Sequence, residues 1–348
     1  MLKIHPGFLA AARNATVASD LHVLLQHAVR LEHSTIAPYL TAAYSLKRNF
    51  NTGIFQAIEA IALEEMLHMA MVANVLTAIG GHPKIADVDF VPRYPDRLPM
   101  SIGGGLVVGL RKFSLALVRD VFMEIEKPET PLEFPVHPLA LGLAPQFATI
   151  GQFYSALIQK ITELGETIFT GDPGHQVVID RPGPWQHLQP ITNVETATAA
   201  LNWIVLDGEG TTNQPFDGSG ELAHYYRFAE IFHGRKLIPD TNPLGFAYGG
   251  DPVPLDESKI WNLPDNPKAA DYPEGSQSRQ AVDFFNQQYS DMLRALQTAF
   301  DGTPGHIMQA QQIMAQMRTT AVQVVGLVDP ATGMNLGLTY EYRPALTS

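Results

Sequence analysis

The chain has 348 residues, 45% of them hydrophobic and 17% charged, so it can bury a large core and is not disordered by composition. Its formal charge of −12 disfavours nucleic acid and anionic membrane as partners. It has no cysteine, which excludes disulfides, thiolate zinc sites and a cysteine nucleophile and leaves Glu, Asp and His as strong metal ligands.

The opening stretch "MLKIHPGFLAAARNATVASD" lacks a basic start followed by a continuous apolar run, so a secretory signal is not expected. No uninterrupted apolar run reaches about 18 residues, so no membrane span is expected. The expectation is a soluble, cytoplasmic protein. Residues 19–47 then carry a first long helical pattern, with Ser19 or Asp20 as its cap and Pro38 inside it. The turn "RNFNTG" leads to a second helix over residues 54–79, stopped by Gly80, Gly81 and Pro83. Two long helices and a short turn predict an antiparallel hairpin, half of a bundle. Residues 82–144 are rich in Pro and Gly and read as a crossover with short strands and one short helix, "SLALVRDVFMEIEKPE". A third long helix is expected over residues 145–170, with Tyr154 central on its apolar side. After the loop "GDPGHQVVIDRPGPW" come helices over 193–206 and 219–236, separated by the glycine-rich "DGEGTTNQPFDGSG". Residues 240–274 read as surface-draped chain, followed by helices over 276–300 and 304–328 and an extended tail.

A helix turns about 100° per residue, which places each polar side chain relative to its neighbours. Glu65 lies within roughly 40° of Ile54, Ile58, Ile61, Val72, Leu76 and Ile79, in the middle of an apolar face. His68, three residues on, is its neighbour. Taken as part of one helix, Glu221 and His224 repeat the pattern beside Tyr225, Phe228 and Phe232. Glu32 is central among Leu21, Leu25, Ala28, Ile36 and Tyr39, whereas His33 points about 100° away. An unpaired buried carboxylate costs several kcal/mol. Several of them on inward faces imply shared cations, and carboxylate plus imidazole suits iron or manganese. A Glu on one helix with Glu-x-x-His on another is the recurrent inner shell of carboxylate-bridged dimetal bundles.

The fourth carboxylate of such a set has no helix-centred candidate. Glu209, freed by Gly208 and Gly210, is the first choice and Glu163 the second; the site is otherwise five-liganded or holds one ion. The competing reading has each Glu protonated or paired with Arg30, Arg227 or Arg235. Glu64 projects about 100° from Glu65 and reads as a solvated or outer-shell group. His22, His27 and His33 read as polar-face residues, Tyr225 and the methionines as packing. "SIGGGLVVGL" lacks the spacing and context of a nucleotide loop.

The segments "LEHSTIAPYL", "EEMLHM" followed by "NVLTAIGG", "TIGQFYSAL", "DGEG" and "ELAHYYRFAEI", with "GLTYEYRP" in the tail, resemble the ferritin-like family that includes the iminophenyl-pyruvate dimer synthases. These are related to the coupling enzymes of bis-indole pigment pathways. The resemblance implies an all-α, ferritin-like four-helix bundle with long loop insertions and a C-terminal helical extension. Residues 1–240 would form the metal-binding bundle, with insertions at 82–144 and 171–192, and residues 241–348 the extension packed on it. It implies Glu32, Glu65, His68, Glu221 and His224 as metal ligands, with Glu209 in the glycine-flanked motif. The implied cofactor is a pair of iron ions, with manganese as the alternative. The implied chemistry is oxidation of a small-molecule amine or imine derived from an aromatic amino acid. The pigment-pathway enzymes are much longer and associated with haem; this chain matches only their ferritin-like portion, so haem is not expected. The insertions are long enough to form a lid and substrate pocket. Iron storage or detoxification and a non-catalytic scaffold are the alternatives, and a homo-oligomer stays open.

Overall fold

The computed structural model describes residues 6–47, 49–101, 105–128, 132, 150–179, 184–210, 214–217 and 220–345. Its first long helices are α2 (Ala18–Ser45) and α3 (Thr52–Ala78), preceded by the short α1 (Pro6–Asn14). They form the expected antiparallel pair and pack along their length. The start of α2 differs from expectation in detail. Val17 is the cap residue, and Asp20 acts from inside the first turn, its Oδ2 accepting from the Thr16 and Val17 amides at 2.8 and 3.2 Å. Pro38 leaves the Ser34 carbonyl without its intrahelical donor. The buried Tyr94 hydroxyl donates to that carbonyl at 2.8 Å, so the helix continues past the proline with the group satisfied. Gly80, at φ +81°, turns the chain out of α3.

The crossover carries α4 (Leu115–Leu117) and α5 (Met123–Ile125), joined by a π-helical turn over Val118–Phe122. The Ser114 hydroxyl caps its start by accepting from the Leu117 amide. A π turn holds more residues than an α turn and rotates the chain beyond it, so Glu126 emerges at the inner end of the segment. The third bundle helix is α6 (Ile150–Leu164); the expected start at residue 145 falls outside the described residues. The fourth is α7 (Val194–Glu209), capped by Asn193, whose Oδ1 accepts from the Thr196 amide at 2.9 Å. α7 packs on α3 and α6, and α6 reaches back to α2 through Tyr154. The short α8 (His224–His233) closes against α3, α7 and the π turn.

The 171–192 insertion is pinned to the bundle by Asn74, wholly buried on α3. Its amide donates to the Val177 carbonyl at 2.7 Å and its Oδ1 accepts from the Val177 amide at 2.9 Å. Two antiparallel pairs form the sheet among the described residues: β1 (Asp96–Arg97) with β2 (Val107–Val108), and β3 (Arg235–Pro239) with β4 (Phe246–Pro252). Beyond them, α9 (Gln277–Phe300), capped by Ser276, and α10 (Ile307–Gly326) pack on each other, α9 touching α3 and α10 touching α2. The tail is stitched to α9 by the buried Asn286, which donates to Thr339 Oγ1 at 2.7 Å and accepts from the Glu341 amide. Leu336, Leu338 and Tyr340 are thereby buried in the same core as α2 and α3. Among the described residues, α3 is the one helix long and apolar enough to cross a membrane, and 78% of its most apolar window is buried inside the protein.

Candidate metal centre

Inward-facing carboxylates and imidazoles meet where α2, α3, α7, the end of α5 and the start of α8 converge. Three groups of three ligating side chains form there among the described residues: Glu32–Glu65–His68 and Glu65–Glu126–His224, whose five residues are all buried, and Glu64–Asp207–His224 on the far side of the His224 ring. Glu65 belongs to both of the first two. Its Oε1 lies 3.5 Å from His68 Nδ1 and 3.1 Å from His224 Nδ1, so one oxygen faces both rings. The terminal carboxylates complete each half: Glu32 Oε2 lies 3.8 Å from His68 Nδ1, and Glu126 Oε2 lies 3.4 Å from His224 Nδ1. The two imidazoles stack with centroids 5.6 Å apart.

The far nitrogens are held by further carboxylates. His68 Nε2 lies 2.8 Å from Asp207 Oδ2, and His224 Nε2 lies 3.0 Å from Glu64 Oε2 and 3.6 Å from Asp207 Oδ2. Arg227 clamps Glu64 in turn. A carboxylate on Nε2 selects the tautomer that carries its proton there and turns the Nδ1 lone pair toward the cluster, the arrangement that orients metal-bound histidines. His224 Nδ1 is buried and, despite its two close oxygens, makes no aligned hydrogen bond. An orphaned imidazole nitrogen among converging carboxylate oxygens fits a cation, and a sulfur-free set of oxygen and nitrogen donors suits iron or manganese.

Without an ion, protons must hold the cluster together. Burial, followed by the charge of Glu65, raises Glu32 to about 8, and the same two causes raise Glu126. Burial alone would lower His68, but its hydrogen bonds to Asp207 and Glu65 prevail and raise it to about 10. His224 is likewise raised well above the usual range by Glu126, Glu64 and Glu65 against the effect of burial. Burial opposes ionisation of Glu65 and Asp207 too, yet the two histidine rings that face Glu65 lower it, and His68 lowers Asp207 to about 2.

The Ferritin-like family model matches residues 25–233, well over half of the chain and every residue of this cluster. The chain belongs to the ferritin-like family. A ferritin-like protein from Caulobacter vibrioides, solved as a crystal structure, superposes with a TM-score of 0.59, 20% identity, and coverage of 93% of this chain and 97% of that one. Among characterised proteins the chain is similar to dichlorochromopyrrolate synthase from Lentzea aerocolonigenes, at 21% identity over 89% of this chain and 34% of that enzyme. It therefore spans about a third of that relative's length.

Of the residues singled out in the sequence, the structure brings Glu32, Glu65, His68 and His224 together. It does not bring Glu221. α8 begins at His224, so the three-residue spacing that puts two side chains on one helical face does not apply to Glu221. Glu221 is instead exposed in an extended turn, its amide donating to Asp217 Oδ1 at 2.8 Å and its carbonyl accepting from the Asp217 amide. Glu209 is the last residue of α7, and its side chain lies outside the described ones. Glu163 is exposed and bonded to Lys160 and Gln159. Glu126, which sequence reasoning passed over, is the third carboxylate of this five-residue cluster beside Glu32 and Glu65. Asp207 was also missed as a partner of the histidines, although the glycine-flanked "DGEG" pointed to the right segment; Glu64, read as a solvated or outer-shell group, is buried against the far nitrogen of His224. His33 stays outside the cluster as expected; it faces the Tyr289 hydroxyl at 2.8 Å, and burial lowers it to about 3.

Proposed function

We propose that this chain is a dimetal oxidoreductase that uses two iron ions, with manganese as the alternative, to oxidise a small-molecule amine or imine derived from an aromatic amino acid. The observation that carries this reading is the single oxygen of Glu65 facing both Nδ1 atoms, which divides one buried cluster into two matched half-sites. Glu32 and His68 would hold one ion, Glu126 and His224 the other, with Glu65 between them. Such a pair supplies the electron exchange with dioxygen that none of these side chains provides. Asp207 and Glu64 keep the rings oriented. Leu31, Ile125, Ile150, Ile204 and Val205 line a cavity of about 40 Å³ against Glu32, Glu65 and Glu126. That volume is room for a diatomic molecule or a water or two, so the organic substrate would reach the centre only after lining side chains give way.

The substrate class rests on the resemblance to iminophenyl-pyruvate dimer synthases and on the similarity to a protein named dichlorochromopyrrolate synthase, of which this chain covers only part. The test is aerobic turnover by the iron- or manganese-loaded protein against aromatic amino acids and their 2-keto and imino derivatives, followed by oxygen consumption and mass spectrometry. Oxygen uptake that depends on one such compound, with a dehydrogenated or coupled product, is expected. Accumulation of many irons per chain without substrate oxidation would mark a storage protein, and no metal uptake would mark a scaffold.

A further inference from the structure

We propose that Tyr154 and Tyr39 are positioning residues that hold the two terminal carboxylates in one-oxygen ligation and so keep coordination positions open on both ions. This rests on the dimetal reading above. The same arrangement occurs twice, built from unrelated elements. Tyr154 on α6 donates its hydroxyl to Glu32 Oε1, and the other oxygen, Oε2, is the one facing His68. Tyr39 on α2 donates to Glu126 Oε1, and Oε2 again is the one facing His224. Each carboxylate thus has its outer oxygen engaged and its inner oxygen directed at the cluster.

Neither phenol can follow a rotating carboxylate. Both tyrosines are fully buried. Tyr39 is boxed edge-on by Phe122 and Phe228 at centroid distances of 4.6 and 5.1 Å, and Tyr154 abuts Phe153 at 5.9 Å. If a carboxylate turned both oxygens to an ion, a buried phenol would lose the one acceptor it has among the described residues, which such interiors resist. The protein would then offer each ion one terminal oxygen, one Nδ1 and the shared Glu65 oxygen. Three donors are fewer than iron or manganese accepts, and open positions are what distinguish a reacting centre from a closed structural one.

The test uses the full chain loaded anaerobically with manganese(II), which keeps the metal in one oxidation state, and metal-edge X-ray absorption. A carboxylate bound through both oxygens brings its carbon distinctly closer to the metal than one bound through a single oxygen. The wild type should lack the short metal–carbon shell. Tyr154→Phe and Tyr39→Phe should each introduce it at about half occupancy, and the double variant at about full occupancy, with two ions still bound per chain. A short shell in the wild type, or two folded single variants with unchanged spectra, overturns the proposal and leaves the dimetal reading standing. Should a variant fail to fold by circular dichroism, the wild-type spectrum decides alone. A wild type that takes up no manganese and no iron overturns both, and uptake measured first separates that case.

Discussion

Loading the metal-free protein with two divalent ions at pH 7 should expel at least about three protons per chain, from Glu32, His68 and His224 together with whatever share the raised Glu126 holds, because ligating carboxylates and imidazole nitrogens must be deprotonated. The number comes from the cluster itself. Glu32, raised to about 8, keeps its proton at pH 7 without metal. His68, raised to about 10, and His224, raised well above its usual range, are both imidazolium there. Glu65 and Asp207 are lowered and have no proton to give. Calorimetry of metal binding in buffers with different heats of ionisation reads the count directly. It should fall above about pH 8 as Glu32 ionises and again near pH 10 as His68 does. Binding of two ions with release of less than one proton would refute the reasoning, since the charges would then not be the ones the metal replaces.

The same groups set the sign of the metal-free pH dependence. Folded-state values for Glu32 and His68 lie above their ordinary 4.5 and 6.5, so the stabilisation they bring is complete below those values and is lost as pH rises through about 8 and 10. The melting temperature of metal-free protein should therefore decline across that range, and metal should flatten the decline. Asp207→Ala removes the acceptor that orients His68 and should weaken metal binding about 10- to 100-fold in competition with a chelator, with the fold retained by circular dichroism. Glu221→Ala and Glu163→Ala should leave two ions per chain by elemental analysis, because both side chains are exposed and outside the cluster. Tyr94→Phe leaves the carbonyl opposite Pro38 without a donor and should cost about 1–3 kcal/mol in urea unfolding.

Glu32, Glu65 and His68 are legible in the sequence because they sit in long α-helices, where 100° per residue holds over many turns and an apolar arc marks the interior. The rule fails where the helix does. Glu126 lies just past a π turn, whose different pitch breaks the periodicity that would have placed it inward. Glu64 does lie off the apolar arc of Glu65, but that side of α3 is covered by α8, so an off-arc carboxylate is not a solvated one. Asp207 falls in the last turn of α7, which runs through Gly208 and Glu209 where the glycines suggested a break. Glu221 shows the opposite error: a sequence pattern of Glu-x-x-His carries chemistry only if the backbone between the two residues is helical, and there it is extended. The all-α bundle and its hairpin were readable because apolar spacing fixes which elements exist. The site's second half was not, because it is assembled from helix ends and a short irregular segment, where side-chain direction depends on the packed neighbours.

Anomalous X-ray diffraction at the iron edge from crystals of the iron-loaded protein reaches the central claim most directly. The account predicts two peaks per chain, one on each side of Glu65 Oε1, with His68 and His224 bound through Nδ1. A single peak, a metal held through Nε2 between Glu64 and Asp207, or iron found only at the protein surface would contradict it.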